Sequence, residues 1–195
     1  VGMIPVGKHT VFHSTTTLCT FDPITGEVVY KPVGNRKVLD VVALNDTTVA
    51  TCSEDAAIQV WELTNGINHV RDISISYDNL MSIDALDSNN LVFAAERCIA
   101  SVNVHTGVET KLLNNDEIRR GVYVELVDRT KLAVLENENR KYVCRVYDLK
   151  TGQSQVICSP HSTTYRPFAA HDSMLIYYDK EGLSFYDVRA MRQVK

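Results

Sequence analysis

Helical periodicity is what this 195-residue chain lacks most plainly. No stretch repeats apolar side chains at three- and four-residue spacing, and only Asn114–Arg120 has the composition for a single turn of helix. No eighteen-residue apolar run exists, which excludes a membrane-spanning helix. No basic stretch precedes an apolar run at Val1-Gly2-Met3-Ile4-Pro5, so no signal peptide is read; a start without methionine suggests an excised piece. Charge of one sign is missing too. Twenty basic side chains face 24 acidic ones, and the net charge of −4 argues against nucleic acid as a partner. The pairs Arg119-Arg120 and Arg140-Lys141 stand beside acids and read as solvated surface.

Catalytic and metal-binding patterns are absent as well. There is no G-x-S-x-G, no phosphate-binding glycine loop and no dinucleotide fingerprint. Acid pairs such as Glu54-Asp55 and Asp116-Glu117 are adjacent, and adjacent side chains diverge in strands and turns. Six histidines are dispersed; His9 and His13 share a strand face but stand about 13 Å apart, too far for one metal. No catalytic residue, metal ligand or cofactor is assigned, and the chain reads as a non-enzyme. Cys19, Cys52, Cys98, Cys144 and Cys158 are odd in number and none forms a C-x-x-C pair. Four lie in strand-like apolar runs, so they read as small buried hydrophobes in an intracellular compartment, cytoplasmic or nuclear. The sequon Asn45-Asp46-Thr47 reads as a turn.

What is present is a repeat. Phe21-Asp22-Pro23-Ile24-Thr25-Gly26, Trp61-Glu62-Leu63-Thr64-Asn65-Gly66, Val102-Asn103-Val104-His105-Thr106-Gly107 and Tyr147-Asp148-Leu149-Lys150-Thr151-Gly152 align on their glycines. The glycines are 40, 41 and 45 residues apart, and Tyr186-Asp187-Val188-Arg189-Ala190-Met191 continues the series without the glycine. A period of this size built from short strands predicts an all-β fold, a propeller of four-stranded antiparallel blades. The chain reads as one domain, residues 1–195, with periods ending near Gly26, Gly66, Gly107, Gly152 and Met191.

The second period divides most clearly: Val38–Leu44, Val49–Ser53, Ile58–Leu63 and Asn68–Ile73, separated by polar turns. Its inner strands are apolar and its outer strand is polar, as a radial sheet requires. The fourth period is longer, with the extra residues assigned to a polar hairpin tip at Asn137-Glu138-Asn139-Arg140. Three complete blades are expected, with two incomplete ones at the ends. The chain then reads as part of a larger propeller, completed by flanking segments or by another chain.

The stretch Ala50-Thr51-Cys52-Ser53-Glu54-Asp55-Ala56-Ala57-Ile58-Gln59-Val60-Trp61-Glu62 resembles the WD-repeat family. That resemblance implies a buried hydrogen-bond chain through Asp55, a hydroxyl at Thr51 or Ser53, and Trp61. The family's histidine is replaced here by Val33-Gly34-Asn35-Arg36. In the fifth period His161 stands 25 residues before Tyr186 and matches it; Tyr147 and Tyr186 take the tryptophan's place in their blades. The recurring Asp-x-x-Thr-Gly is similar to quinoprotein-like repeats, which carry a tryptophan after the glycine; here those positions hold Tyr30, Val70, Lys111 and Val156.

The WD-repeat resemblance implies a protein-interaction scaffold within an intracellular complex. Alternatives are a quinoprotein-like propeller binding a cofactor or partner, and peptide or RNA recognition at the central opening. Binding residues are expected on the rim loops: Arg36, Lys37, Arg97, Arg119, Arg120, Tyr165 and Arg166. Tyr165-Arg166-Pro167 stands out as an aromatic beside an arginine on a proline-stiffened loop.

Overall fold

The computed structural model describes residues 2–34, 37–96, 98–113, 121–138, 141–159, 168–179 and 182–194. They form a β-propeller of five four-stranded antiparallel sheets, each built from consecutive strands. The first sheet comprises β1 (Gly2–Val6), β2 (His9–His13), β3 (Thr17–Phe21) and β4 (Val28–Pro32). The second comprises β5 (Val38–Ala43), β6 (Thr48–Ser53), β7 (Ala57–Glu62) and β8 (Asn68–Ser74). The third holds β9 (Ser82–Ala85), β10 (Asn90–Ala95), β11 (Cys98–Asn103) and β12 (Glu109–Leu113). The fourth holds β13 (Gly121–Asp128), β14 (Lys131–Glu138), β15 (Lys141–Asp148) and β16 (Ser154–Cys158). The fifth holds β17 (Phe168–His171), β18 (Met174–Asp179), β19 (Gly182–Asp187) and β20 (Arg192–Val194).

Two expectations are corrected. The end blades are not partial: β1 and β20 give each of them a fourth strand. Both strands read weakly because β1 carries Pro5, tolerated only at a sheet edge, and β20 has three exposed residues. The fourth blade's extra length falls at the expected hairpin, but Asn137 and Glu138 belong to strand rather than to its tip. It extends β14 and β15 to eight residues each, pairing Asn137 with Tyr142 and Glu138 with Lys141.

The repeated turn has a local cause. In four of the five blades, an Asp or Asn side chain accepts the backbone N–H groups of the second and third residues after it. Asp22 Oδ1 takes Ile24 and Thr25 at 2.9 and 3.2 Å, and Asp148 Oδ1 takes Lys150 and Thr151 at 2.9 Å each. Asn103 and Asp187 do the same. The fourth residue after the cap then turns left-handed, with φ of 73°, 71° and 72° at Gly26, Gly107 and Gly152; Gly66 of the second blade, where Glu62 holds the cap position, is left-handed too at 87°. Met191 adopts the same conformation at 52° without being glycine. The Asp-x-x-Thr-Gly motif is thus a capped turn.

Alternation along the strands gives each sheet two apolar faces. The forward face packs on the following sheet and the backward face on the preceding one. Four cores result. The first joins Val11 and Leu18 to Val49 and Trp61; the second joins Ile58 and Val60 to Leu91 and Phe93. The third joins Val92 and Ile99 to Leu132 and Tyr147; the fourth joins Leu135 and Val146 to Leu175 and Tyr186. Cys52, Cys98 and Cys144 serve there as small buried side chains, and all five cysteines are free thiols. Among the described residues no such core joins the fifth sheet to the first.

Candidate functional site

The innermost strands β1, β5, β9, β13 and β17 each pair with one neighbour within the blade, leaving an open edge of backbone N–H groups. An unpaired buried N–H is costly, so something must satisfy it. Carboxylates do so, reaching forward from one blade to the next. Asp40 Oδ2 accepts Ser82 Oγ at 3.0 Å and Ile83 N at 3.4 Å. Ser82 Oγ in turn accepts Val124 N at 3.4 Å. Asp84 Oδ2 accepts Leu126 N at 2.5 Å, while its Oδ1 takes Ala85 N at 2.7 Å. Glu125 Oε1 accepts Ala170 N at 3.3 Å and also receives the Tyr123 hydroxyl on its other oxygen. Three acids therefore stitch blade 2 to 3, 3 to 4, and 4 to 5.

Strands β1, β5, β9 and β13 line a cavity of about 230 Å³, with Ile4, Val42, Ile83, Asp84, Tyr123 and Glu125 on its wall. Burial raises the Asp84 carboxyl to about 7; the charges of Glu125 and Asp40 push the same way, against the amide bonds from Leu126 and Ala85. The opening is thus acidic on an apolar ground. Its carboxyl oxygens present acceptors for N–H donors.

The expected rim is formed where the structure describes it. Glu54 N donates to the Lys37 carbonyl at 3.1 Å, and Lys37 Nζ lies 3.4 Å from Glu54 Oε1. One blade later, Glu96 N donates to the Asp78 carbonyl at 3.4 Å, and Asn79 Nδ2 donates to Glu96 Oε2 at 2.7 Å. The loop before an inner strand thus meets the turn between the second and third strands. Of the expected binding residues, only Lys37 is described; Arg36, Arg97, Arg119, Arg120, Tyr165 and Arg166 lie outside the described residues, as does His161.

The hydrogen-bond chain expected at Trp61 is two separate links. Trp61 Nε1 donates to Thr51 Oγ1 at 3.0 Å, and His69 meets the indole edge-on at 5.1 Å. Ser53 Oγ donates to Asp55 Oδ1 at 2.5 Å, but Asp55 is exposed, so the chain does not run from a buried carboxylate to the indole. The fourth blade uses other chemistry at the same place. The Tyr147 hydroxyl donates to Glu136, which is buried and also approached by Arg145 Nε at 3.4 Å. Burial raises the Glu136 carboxyl, and its bonds to Tyr147 and Arg145 pull it back. In the fifth blade the buried Tyr186 hydroxyl has no partner among the described residues.

Asp40, Asp84 and Glu125 were missed in sequence because each stands in an apolar run and reads as a stray surface acid. One signal was available: Asp84 and Glu125 stand 41 residues apart, one repeat period, in inner strands whose burial makes an acid costly. No family model matches this chain, and no curated protein matches it.

Proposed function

We propose that this chain is a non-enzymatic protein-interaction scaffold of the WD-repeat type, recruiting partners within a larger intracellular assembly. The observation that carries the proposal is the rim. Backbone hydrogen bonds tie the loop before an inner strand to the adjacent hairpin turn in blades 2 and 3. Carboxylate stitches hold successive blades in register beneath those loops. Loops held in this way are pre-organised, which lowers the entropic cost of binding. Trp61 with its Thr51 partner supports the WD-repeat reading.

Within that reading, the acidic opening favours a peptide bearing lysine or arginine over RNA, because Asp84 and Glu125 line the cavity. The quinoprotein-like alternative loses its motif to the capped turn at Asp22 and Asp148. The test is an affinity pull-down of the tagged chain from its own lysate at moderate and high salt, read by mass spectrometry. A stoichiometric protein surviving high salt is expected. Recovery of salt-labile nucleic acid alone would overturn the scaffold reading.

A further inference from the structure

The repeat sets equivalent residue pairs side by side across its blades. Leu18, Ile58, Ile99 and Cys144 stand three residues before Phe21, Trp61, Val102 and Tyr147 in the third strands of the first four blades. Each is 0% exposed, in the core shared with the next sheet. Opposite them on the outer strands stand Lys31, Ile73, Leu113 and Cys158. Blades 2 and 3 fill this place with an aliphatic pair, and Ile73 and Leu113 are buried with their partners. The fourth blade puts two thiols there. The other three cysteines have no thiol opposite. Cys19 pairs with Phe12 and Tyr30, Cys52 with Asp40 and Ile58, and Cys98 with Ala95.

The backbone brings the two sulfurs together. Between β15 and β16 a bulge passes over Ile157, so that Cys158 lies opposite Cys144; the third blade passes over Leu112 in the same way to set Leu113 opposite Ile99. Directly opposed residues of an antiparallel pair have Cα atoms about 4.5–5.5 Å apart, within the roughly 4.4–6.8 Å that a disulfide spans. Cys158 stands close enough to hydrogen-bond the Cys144 thiol. The two sulfurs are not equivalent. Cys144 is fully buried in the core between the fourth and fifth sheets, whereas Cys158 is half-buried at the end of β16 and packs against that core. Burial holds the Cys144 thiol well above the ordinary thiol range, and Cys158 and Glu136 push the same way, so it stays protonated. Cys158 is therefore the sulfur that a small oxidant meets first.

We propose that Cys144 and Cys158 form a reversible oxidation site, joined as a disulfide by a hydroperoxide and returned to thiols by a dithiol. The Cys158 sulfur attacks one oxygen of hydrogen peroxide. The O–O bond breaks, Cys158 becomes a sulfenic acid, and the departing hydroxide leaves as water with the thiol's proton. The Cys144 sulfur then attacks the Cys158 sulfur. An S–S bond forms, the S–O bond breaks, and the hydroxyl leaves with the Cys144 proton as a second water. Two thiols lose two electrons, and one peroxide is reduced to two waters. Within its blade β16 is paired to β15 alone, so the link fastens the last residue of the outer strand to a buried one.

The test is exposure of the reduced, folded 195-residue chain to hydrogen peroxide, followed by alkylation and tryptic peptide mass spectrometry without reductant. Arg145 and Lys150 lie between the two cysteines, so trypsin puts them on separate peptides. The two peptides should be recovered joined, two hydrogens lighter than their sum, and dithiothreitol should separate them. Cys144→Ala should abolish the link and leave Cys158 as a sulfenic acid that dimedone traps. Cys158→Ala should slow oxidation of Cys144 at least about tenfold, because the remaining thiol is buried and protonated. Should either variant fail to fold, the wild-type peptide map decides by itself. Recovery of both cysteines as free thiols, or as separate sulfinic acids, would overturn the proposal. So would a link that forms only in urea, or one that joins Cys158 to a different cysteine.

Discussion

The joints between blades and the two end faces are built from the same residues and differ only in what lies opposite them. Ile58 and Leu183 occupy one repeat position, have similar size and hydrophobicity, and sit in strands of equal length. One is fully buried and the other 63% exposed. Repeat architectures therefore separate two quantities that are confounded in an ordinary core. One is the intrinsic fitness of a side chain for a strand. The other is the contribution of the neighbour that covers it.

That comparison can be broken most strongly at the aromatic position. Trp61→Ala should destabilise by about 3–5 kcal/mol, through lost packing between the first two sheets and an unsatisfied Thr51. Phe21→Ala, at the same position on the uncovered face, should cost less than half as much in the monomer. Denaturant titration of both at low protein concentration measures the difference; equal losses would mean Phe21 is covered. Next come the aliphatic positions. Ile58→Ala should lose about 2–5 kcal/mol and Leu183→Ala under about 0.5 kcal/mol.

A third prediction sharpens the contrast through charge. Asp84 lies inside a joint, where its carboxyl is raised from 3.8 to about 7. The folded state then holds a proton that the unfolded state has released, so stability falls as pH rises from about 4 to about 7 and is level above that. The drift should amount to about 2–4 kcal/mol. Asp84→Asn should flatten it, keeping one acceptor for the N–H groups of Leu126 or Ala85. Thermal melts from pH 4 to pH 8 measure the slope, and an unchanged slope in the variant would assign it to another acid. The smallest effect is expected at the last turn. Met191 is left-handed where four other blades have glycine, so Met191→Gly should stabilise by about 0.5–1 kcal/mol. A loss of stability there would mean the Met191 side chain packs on the end face.

The repeat made much of the fold legible. Glycines about forty residues apart placed the capped turns, and apolar alternation placed Ile58 and Val60 on one face with Trp61 on the other. Both are local consequences of strand geometry and turn chemistry. Legibility failed where local signal was thin. Gly2–Val6 is glycine- and proline-bearing, and Arg192–Val194 is short and polar, so the fourth strand of each end blade was not apparent. The rim was legible as a pattern, and Lys37 meets Glu54 there. Asp55 matched a family motif by spacing, yet its exposure depends on how the hairpin turn is set against the loop before β5. The inner acids were the largest omission. Asp84 is recognisable as a stitch only once the Leu126 N–H, 42 residues away, is beside it.

The sequence alone therefore determined most of the strands, the repeated turns and the order of sheets, because each is decided by neighbours within a few residues. Tertiary structure alone decided which acids are buried and bonded, and which apolar faces are covered. Desolvation and packing at Asp84 or Ile58 depend on an adjacent blade contributed by residues a full repeat away.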